Sequence, residues 1–131
     1  MPDSLNDWLT DCLHGGVTNQ STAAVLFFFY FFFLDYVPTS LSPNIKVVPW
    51  LPQNVLLAHK DIKVLVSHVG HNSLCESAYH GVPVVAIPLF GDQFSNAMKA
   101  EQFGLGIAVD YHTMDTEQLF ETIVRVINES R

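Results

Sequence analysis

Between Ile45 and Arg131 short apolar runs alternate with longer amphipathic stretches, and no other feature of the chain restricts its fold as much. Ile45-Lys-Val-Val48 reads as a short strand. Pro52 to His59 reads as a helix with proline near its first turn, where a missing N–H costs nothing. Lys63-Val-Leu-Val-Ser67 is near-continuously apolar, as a parallel strand covered on both faces should be. Asn72 to Tyr79 follows as a helix with Asn72 in the capping position, and Gly81 ends it. Val82-Pro-Val-Val-Ala-Ile87 is a third strand, Asp92 to Phe103 a helix closed by Gly104, and Gly106 to Val109 a fourth strand. The last helix begins near Asp115, which forms a D-x-x-Q capping box with Gln118, and carries Leu119, Ile123, Val126 and Ile127 on one face. Alternating strands and helices with short loops predict an α/β fold: a Rossmann-like parallel sheet with helices on both faces.

Composition narrows what such a domain can do. At 131 residues the chain is one domain or a piece of one, and 49% apolar residues are enough for a core. The net charge is −7, and all six Lys and Arg lie at or after Lys46 without clustering. That argues against a nucleic-acid partner, which requires phosphate neutralisation by a basic patch. Cys12 and Cys75 make neither a disulfide framework nor a four-cysteine zinc site.

The first 36 residues differ in character. Pro2 to Leu13 predicts a short amphipathic helix with Leu5, Trp8 and Leu9 on one face, broken by His14-Gly-Gly. Residues 23–34 then read AAVLFFFYFFFL. As a helix this run spans about 18 Å against a hydrocarbon core of about 30 Å, too short to cross. Four Asp and no Lys or Arg in residues 1–45 do not suit a signal peptide. The run has neither a 3.6 nor a 2 period, which leaves a buried strand and an arbitrary stretch both open. The expectation is an atypical segment without a reliable fold over 1–36, poorly placed against an ordered domain over 37–131.

Three loops at strand ends are rich in polar or small residues, and in an open parallel sheet ligands bind beyond the carboxyl ends of the strands. Ser67-His-Val-Gly-His-Asn-Ser73 leads from a strand straight into a helix. Backbone N–H groups of Asn72, Ser73 and Leu74 at that helix start suit an anion such as a diphosphate. Gly70 lets backbone and phosphate approach, and His68 adds a donor. Glu76, one turn after Asn72, suits a ribose diol. The same residues also describe a capped helix with a surface His and Glu. In the first loop, Trp50 suits stacking on a base and Gln53 reading of its edge, with a core Trp as the alternative. In the third, Asp92 and Gln93 suit sugar hydroxyls, with an ordinary Asp helix cap as the alternative.

Two other constellations carry less. His68-x-x-His71 with Cys75 and His80 has no recognised ligand spacing, so no metal is expected. Gly104-x-Gly106 lacks a third glycine and follows a helix, which argues against a nicotinamide oxidoreductase.

Taken together, W-L-P-Q (Trp50 to Gln53), S-H-V-G-H-N-S-L-C-E (Ser67 to Glu76) and H-G-V-P-V-V-A-I-P-L-F-G-D-Q (His80 to Gln93) resemble the signature of the UDP-glycosyltransferases, in particular the animal UDP-glucuronosyltransferases. The likeness covers residues 37–131; residues 18–36 show none. It implies the C-terminal, UDP-sugar-binding half of a glycosyltransferase B fold, truncated here. Carried over by position, it implies that Trp50 stacks on uracil and Gln53 contacts base or ribose. His68, Gly70, Asn72 and Ser73 would then hold the diphosphate, Glu76 the ribose, and Asp92 and Gln93 the sugar. Val69 stands where the family usually has glycine, and its Cβ is expected to crowd the diphosphate loop.

The family's activity would be inverting hexosyl transfer from UDP-glucuronate, UDP-glucose or UDP-galactose to a small lipophilic acceptor, with no other cofactor. The resemblance places the catalytic base and acceptor site on an N-terminal domain and a membrane helix after the donor domain, neither of which lies in these residues. No catalytic residue is therefore assigned to this chain, which is expected to be inactive alone. The rival reading is a non-catalytic truncated member that binds UDP-sugar or pairs with intact enzymes. For the full-length family the expected location is the lumenal side of the endoplasmic reticulum membrane.

Overall fold

Four apolar segments line up as one parallel sheet. The computed structural model describes residues 24–28, 40, 47, 48 and 50–129. In chain order the elements are β1 (Ala24–Phe28), α1 (Gln53–Leu57), β2 (Ile62–Ser67), α2 (His71–His80), β3 (Val84–Ala86), α3 (Gln93–Gln102), β4 (Gly106–Ala108) and α4 (Thr116–Glu129). The sheet order is β1-β2-β3-β4 and each neighbouring pair is parallel.

Side chains alternate across the strands, and the two faces are sealed separately. On one face Leu65 of β2 and Val84 and Ala86 of β3 pack with Leu57 of α1, Leu74 of α2, and Ala97 and Ala100 of α3. On the other, Val64, Val66, Val85 and Ile87 pack with Val126 of α4, flanked by Leu119, Ile123 and Ile127. A sheet that grows strand by strand in one direction, with right-handed crossovers, puts all its connecting helices on one side. Among the described elements, α4, which follows the last strand, covers the other. Each side chain fully withdrawn from water here contributes about 1.5–3 kcal/mol. The predicted fold class, helices on both faces of a parallel sheet, is what the structure has.

Element ends follow local chemistry. Gly81 and Gly104 close α2 and α3 in the left-handed conformation, at φ 67° and 66°. The Ser77 hydroxyl donates to the Val82 carbonyl and ties the end of α2 to the approach to β3. The Gln118 N–H donates to Asp115 Oδ1 at 2.7 Å, the side-chain half of the predicted capping box.

One expectation is corrected. Val47 and Val48 lie outside any strand, and residues 45 and 46 lie outside the described residues. Pro49 follows directly and has no N–H to extend a ladder. The place beside β2 is taken instead by part of the Phe-rich run. Ala24–Phe28 pairs with β2 from Ala24↔Ile62 to Phe28↔Ser67, with one irregularity between Ala24 and Val25. An apolar run without a period fits a strand that is not divided into wet and dry faces. These five residues form an edge strand of the described sheet, not a central one. The predicted helix over Pro2–Leu13 lies outside the described residues.

Among the described glycines, Gly106 has the closest neighbour: a Cβ there would stand 1.9 Å from the Val84 carbonyl oxygen. Gly106→Ala should cost about 3 kcal/mol or more, because the obstacle is backbone. Gly81→Ala, with nothing within 4 Å but a positive φ, should cost about 1–2 kcal/mol. Urea denaturation of the two variants checks the order; equal losses would mean that β4 does not approach β3 as closely as described.

Candidate functional site

The carboxyl ends of β2 and β3 open onto three loops, and two side-chain amides tie these loops together. Gln53, first residue of α1, donates through Nε2 to Ser73 Oγ at 3.1 Å and Glu76 Oε2 at 2.8 Å. A carboxylate only accepts, so the amide must present its nitrogen there, which fixes the orientation of the group. Its Oε1 is enclosed without a hydrogen-bond partner. Three of the predicted residues, Gln53, Ser73 and Glu76, thus meet at the first turn and a half of α2.

The second amide is Asn96 of α3. Its Nδ2 donates to the Val69 carbonyl and to Asp92 Oδ2, each at 3.1 Å. It joins the loop after β2 to the loop after β3. Asn96 is buried, and no sequence motif singled it out. Its position four residues after Asp92, one helical turn on, is the signal that would have found it.

The start of α2 differs from its prediction. The helix begins at His71 with Gly70 as its cap, and no side chain caps it. Asn72 is an exposed residue inside the first turn, not the cap. The Leu74 N–H is used by the Gly70 carbonyl at 3.1 Å, so the groups without a helical partner are those of Gly70, His71, Asn72 and Ser73. The cause is the turn before it. Val69 has φ 56°, and Gly70 then swings back to φ −54°, ψ 153°. The Val69 side chain is fully buried in the core with Leu65 and Leu74.

His68 is buried as well, at 7% exposure, which removes the surface-histidine alternative. A Cβ on Gly70 would come 3.2 Å from His68 Nε2, so this glycine makes room for the imidazole. Trp50 is 75% exposed, which removes the core-tryptophan alternative. Asp92 holds the cap position of α3 but makes no capping bond; its carboxylate goes to Asn96 instead. Gln93 is buried, and its Oε1 accepts the N–H groups of Leu89 and Phe90 at 2.8 and 3.0 Å. That carbonyl is committed to closing the loop, leaving the amide nitrogen for other work. Among the described residues no group of His, Cys, Asp and Glu could hold a metal ion.

An uncapped helix start beside a carboxylate, in strand-end loops, is the layout of the signature quoted above. The chain matches the family model of UDP-glucoronosyl and UDP-glucosyl transferases over residues 19–131. It belongs to the UDP-glycosyltransferase family. The match begins ahead of the Phe-rich run, so the expectation that residues 18–36 fall outside the likeness is corrected; β1 supplies a strand there. Over 91 residues the chain is 47% identical to human 2-hydroxyacylsphingosine 1-beta-galactosyltransferase, covering 70% of this chain and 17% of that protein. Over 92 residues it is 45% identical to mouse UDP-glucuronosyltransferase 3A1, covering 70% of this chain and 18% of that one. The chain thus spans less than a fifth of the length of these relatives.

Solved structures agree on the fold. The glycotransferase of kitacinnamycin superposes with a TM-score of 0.64 at 28% identity, over 72% of this chain and 25% of that one. The spinosyn forosaminyltransferase SpnP superposes at 0.68 and 21% identity, over 98% of this chain and 33% of that one. The architecture is part of a glycosyltransferase B fold.

Gly70→Ala tests the packing of this UDP-glycosyltransferase loop. Its backbone angles suit alanine, so stability should change by no more than about 1 kcal/mol. The His68 ring must shift by tenths of an ångström, and its NMR resonances should move. Unchanged resonances would show that the ring does not lie against Gly70.

Proposed function

We propose that the three loops form the nucleoside-diphosphate side of a UDP-sugar site. The observation that carries this is the uncapped start of α2 with Gln53, Ser73 and Glu76 converging on it. Unpartnered N–H groups and the helix dipole favour the diphosphate without any lysine. Trp50, exposed ahead of α1, offers a face for uracil. Gln53 contacts the base or ribose, and its enclosed Oε1 has no donor among the described residues. Glu76 takes the ribose diol by exchanging one bond from Gln53 for bonds from the sugar. His68, Gly70, Asn72 and Ser73 surround the diphosphate, and Asp92 and Gln93 face the hexose.

In transfer, these donors would stabilise charge on the departing UDP as the bond to the anomeric carbon breaks. The acceptor would attack from the opposite side, inverting the centre, with its proton taken by a base outside this chain. Residues 37–131 are the donor-binding part in this reading. The hexose is glucuronate, glucose or galactose and the acceptor a small lipophilic alcohol or phenol, as the family suggests. A second protein partner, an intact family member, would complete the catalytic cleft. For the whole protein we infer the lumenal side of the endoplasmic reticulum membrane; among the described residues no helix is long and apolar enough to cross a membrane.

Calorimetry on the 131-residue chain with UDP and uridine tests the reading. UDP should bind more tightly, and equal affinities would reject the diphosphate site. Glu76→Ala should weaken UDP by about 1–3 kcal/mol through lost charge-assisted bonds. With radiolabelled UDP-sugar and a panel of phenols, the chain alone should release UDP slowly and form no glycoside. Glycoside formation above a His68→Ala control would mean that a base lies within this chain.

A further inference from the structure

A β-branched residue at positive φ is strained by about 1–3 kcal/mol and persists only where its surroundings over-determine it. Val69, at φ 56°, meets that condition. Its N–H donates to Ser67 Oγ at 3.0 Å, and its carbonyl accepts from Asn96 Nδ2 at 3.1 Å. Ser67 is fully enclosed and Asn96 is 4% exposed, so neither bond competes with water. The two hydrogens of Nδ2 have different destinations: one holds Val69 and the other holds Asp92 Oδ2. Both partners are acceptors, so the amide cannot turn over without facing oxygen to oxygen.

We propose that Asn96 is a positioning residue which locks the turn at Val69 and, through the same nitrogen, the carboxylate of Asp92. The inference rests on the donor-site reading above. The left-handed turn at Val69 is what brings Gly70 into the cap position and aims the first N–H groups of α2 outward. Without Asn96, Val69 relaxes towards negative φ, Gly70 moves with it, and the anion site loses its geometry. Asp92 loses its donor in the same event. Asn96 therefore sets diphosphate and sugar contacts together, while touching neither.

Calorimetry on the full chain with UDP and with uridine, in the wild type, Asn96→Ala, Val69→Gly and the double variant, tests this. Asn96→Ala should weaken UDP about tenfold and uridine less than about threefold. Glycine holds positive φ without a clamp, so in the Val69→Gly background Asn96→Ala should weaken UDP less than about threefold. Asn96→Asp keeps the volume but removes the donors, and should reproduce the selective loss if the alanine variant does not fold. Equal losses for UDP and uridine, or no rescue by glycine, would overturn the role of Asn96 and leave the donor site standing. Failure of the wild type to prefer UDP over uridine would overturn the donor site itself, and the role of Asn96 with it.

Discussion

The way the chain leaves β2 governs everything at this end of the sheet. Four residues, Ser67 to Gly70, must reverse from a buried strand into a helix that leans back over the sheet. Ser67, His68 and Val69 are all buried, so the turn has no water to satisfy its polar groups. Side chains do it instead, with Ser67 on the N–H of Val69 and Asn96 on its carbonyl. These two bonds hold the backbone of the turn while the valine side chain is buried in the core.

The layers explain why the turn can be so closely held. Helices α1, α2 and α3 lie side by side on one face of the sheet, and their first residues lie at its carboxyl end. Residues at neighbouring helix starts are therefore within reach of each other. Gln53 reaches α2 from α1, and Asn96 reaches back over the turn from α3. Helix α4 takes no part in these bonds. It seals the opposite face with the stripe ending in Val126 and Ile127, which keeps β2 and β3 dry on both sides. The rigidity of the site is thus inherited from two separate apolar clusters.

Periodicity and punctuation made most of this architecture readable. The helices after Ser67 have a glycine or a capping residue near their ends, and their register follows from i, i+4 apolar spacing. The Phe-rich run was not readable, because a segment without a period carries no information about which face is buried; only pairing with β2 decides it. Among the candidate residues, those that speak through type and spacing, Gln53, Ser73 and Glu76, are joined by hydrogen bonds from Gln53. Those whose role depends on backbone angles do not announce themselves. Asn72 looks like a cap, yet the cap is Gly70, two residues earlier, after a left-handed Val69, a conformation that nothing in a valine suggests. Asn96 escapes notice for a related reason: one of its two partners is the backbone carbonyl of that turn, the other the Asp92 carboxylate.

Electrostatics give the strained turn its purpose. The chain carries a net charge of −7, and no Lys or Arg occurs between Lys63 and Lys99, the stretch that holds the middle and third loops. A diphosphate approaching it gains nothing from long-range attraction, which a basic cleft would supply. Any preference for the anion must come from N–H dipoles at contact distance, and a dipole's attraction falls off faster with distance than a charge's. A lysine on a flexible stem tolerates an error of an ångström; a row of backbone donors does not, because its direction is fixed by the helix. A site built this way needs its helix start held in one geometry before the ligand arrives. In the proposed donor site the clamp on Val69 would provide that, and the strain of the turn would be the cost of holding it.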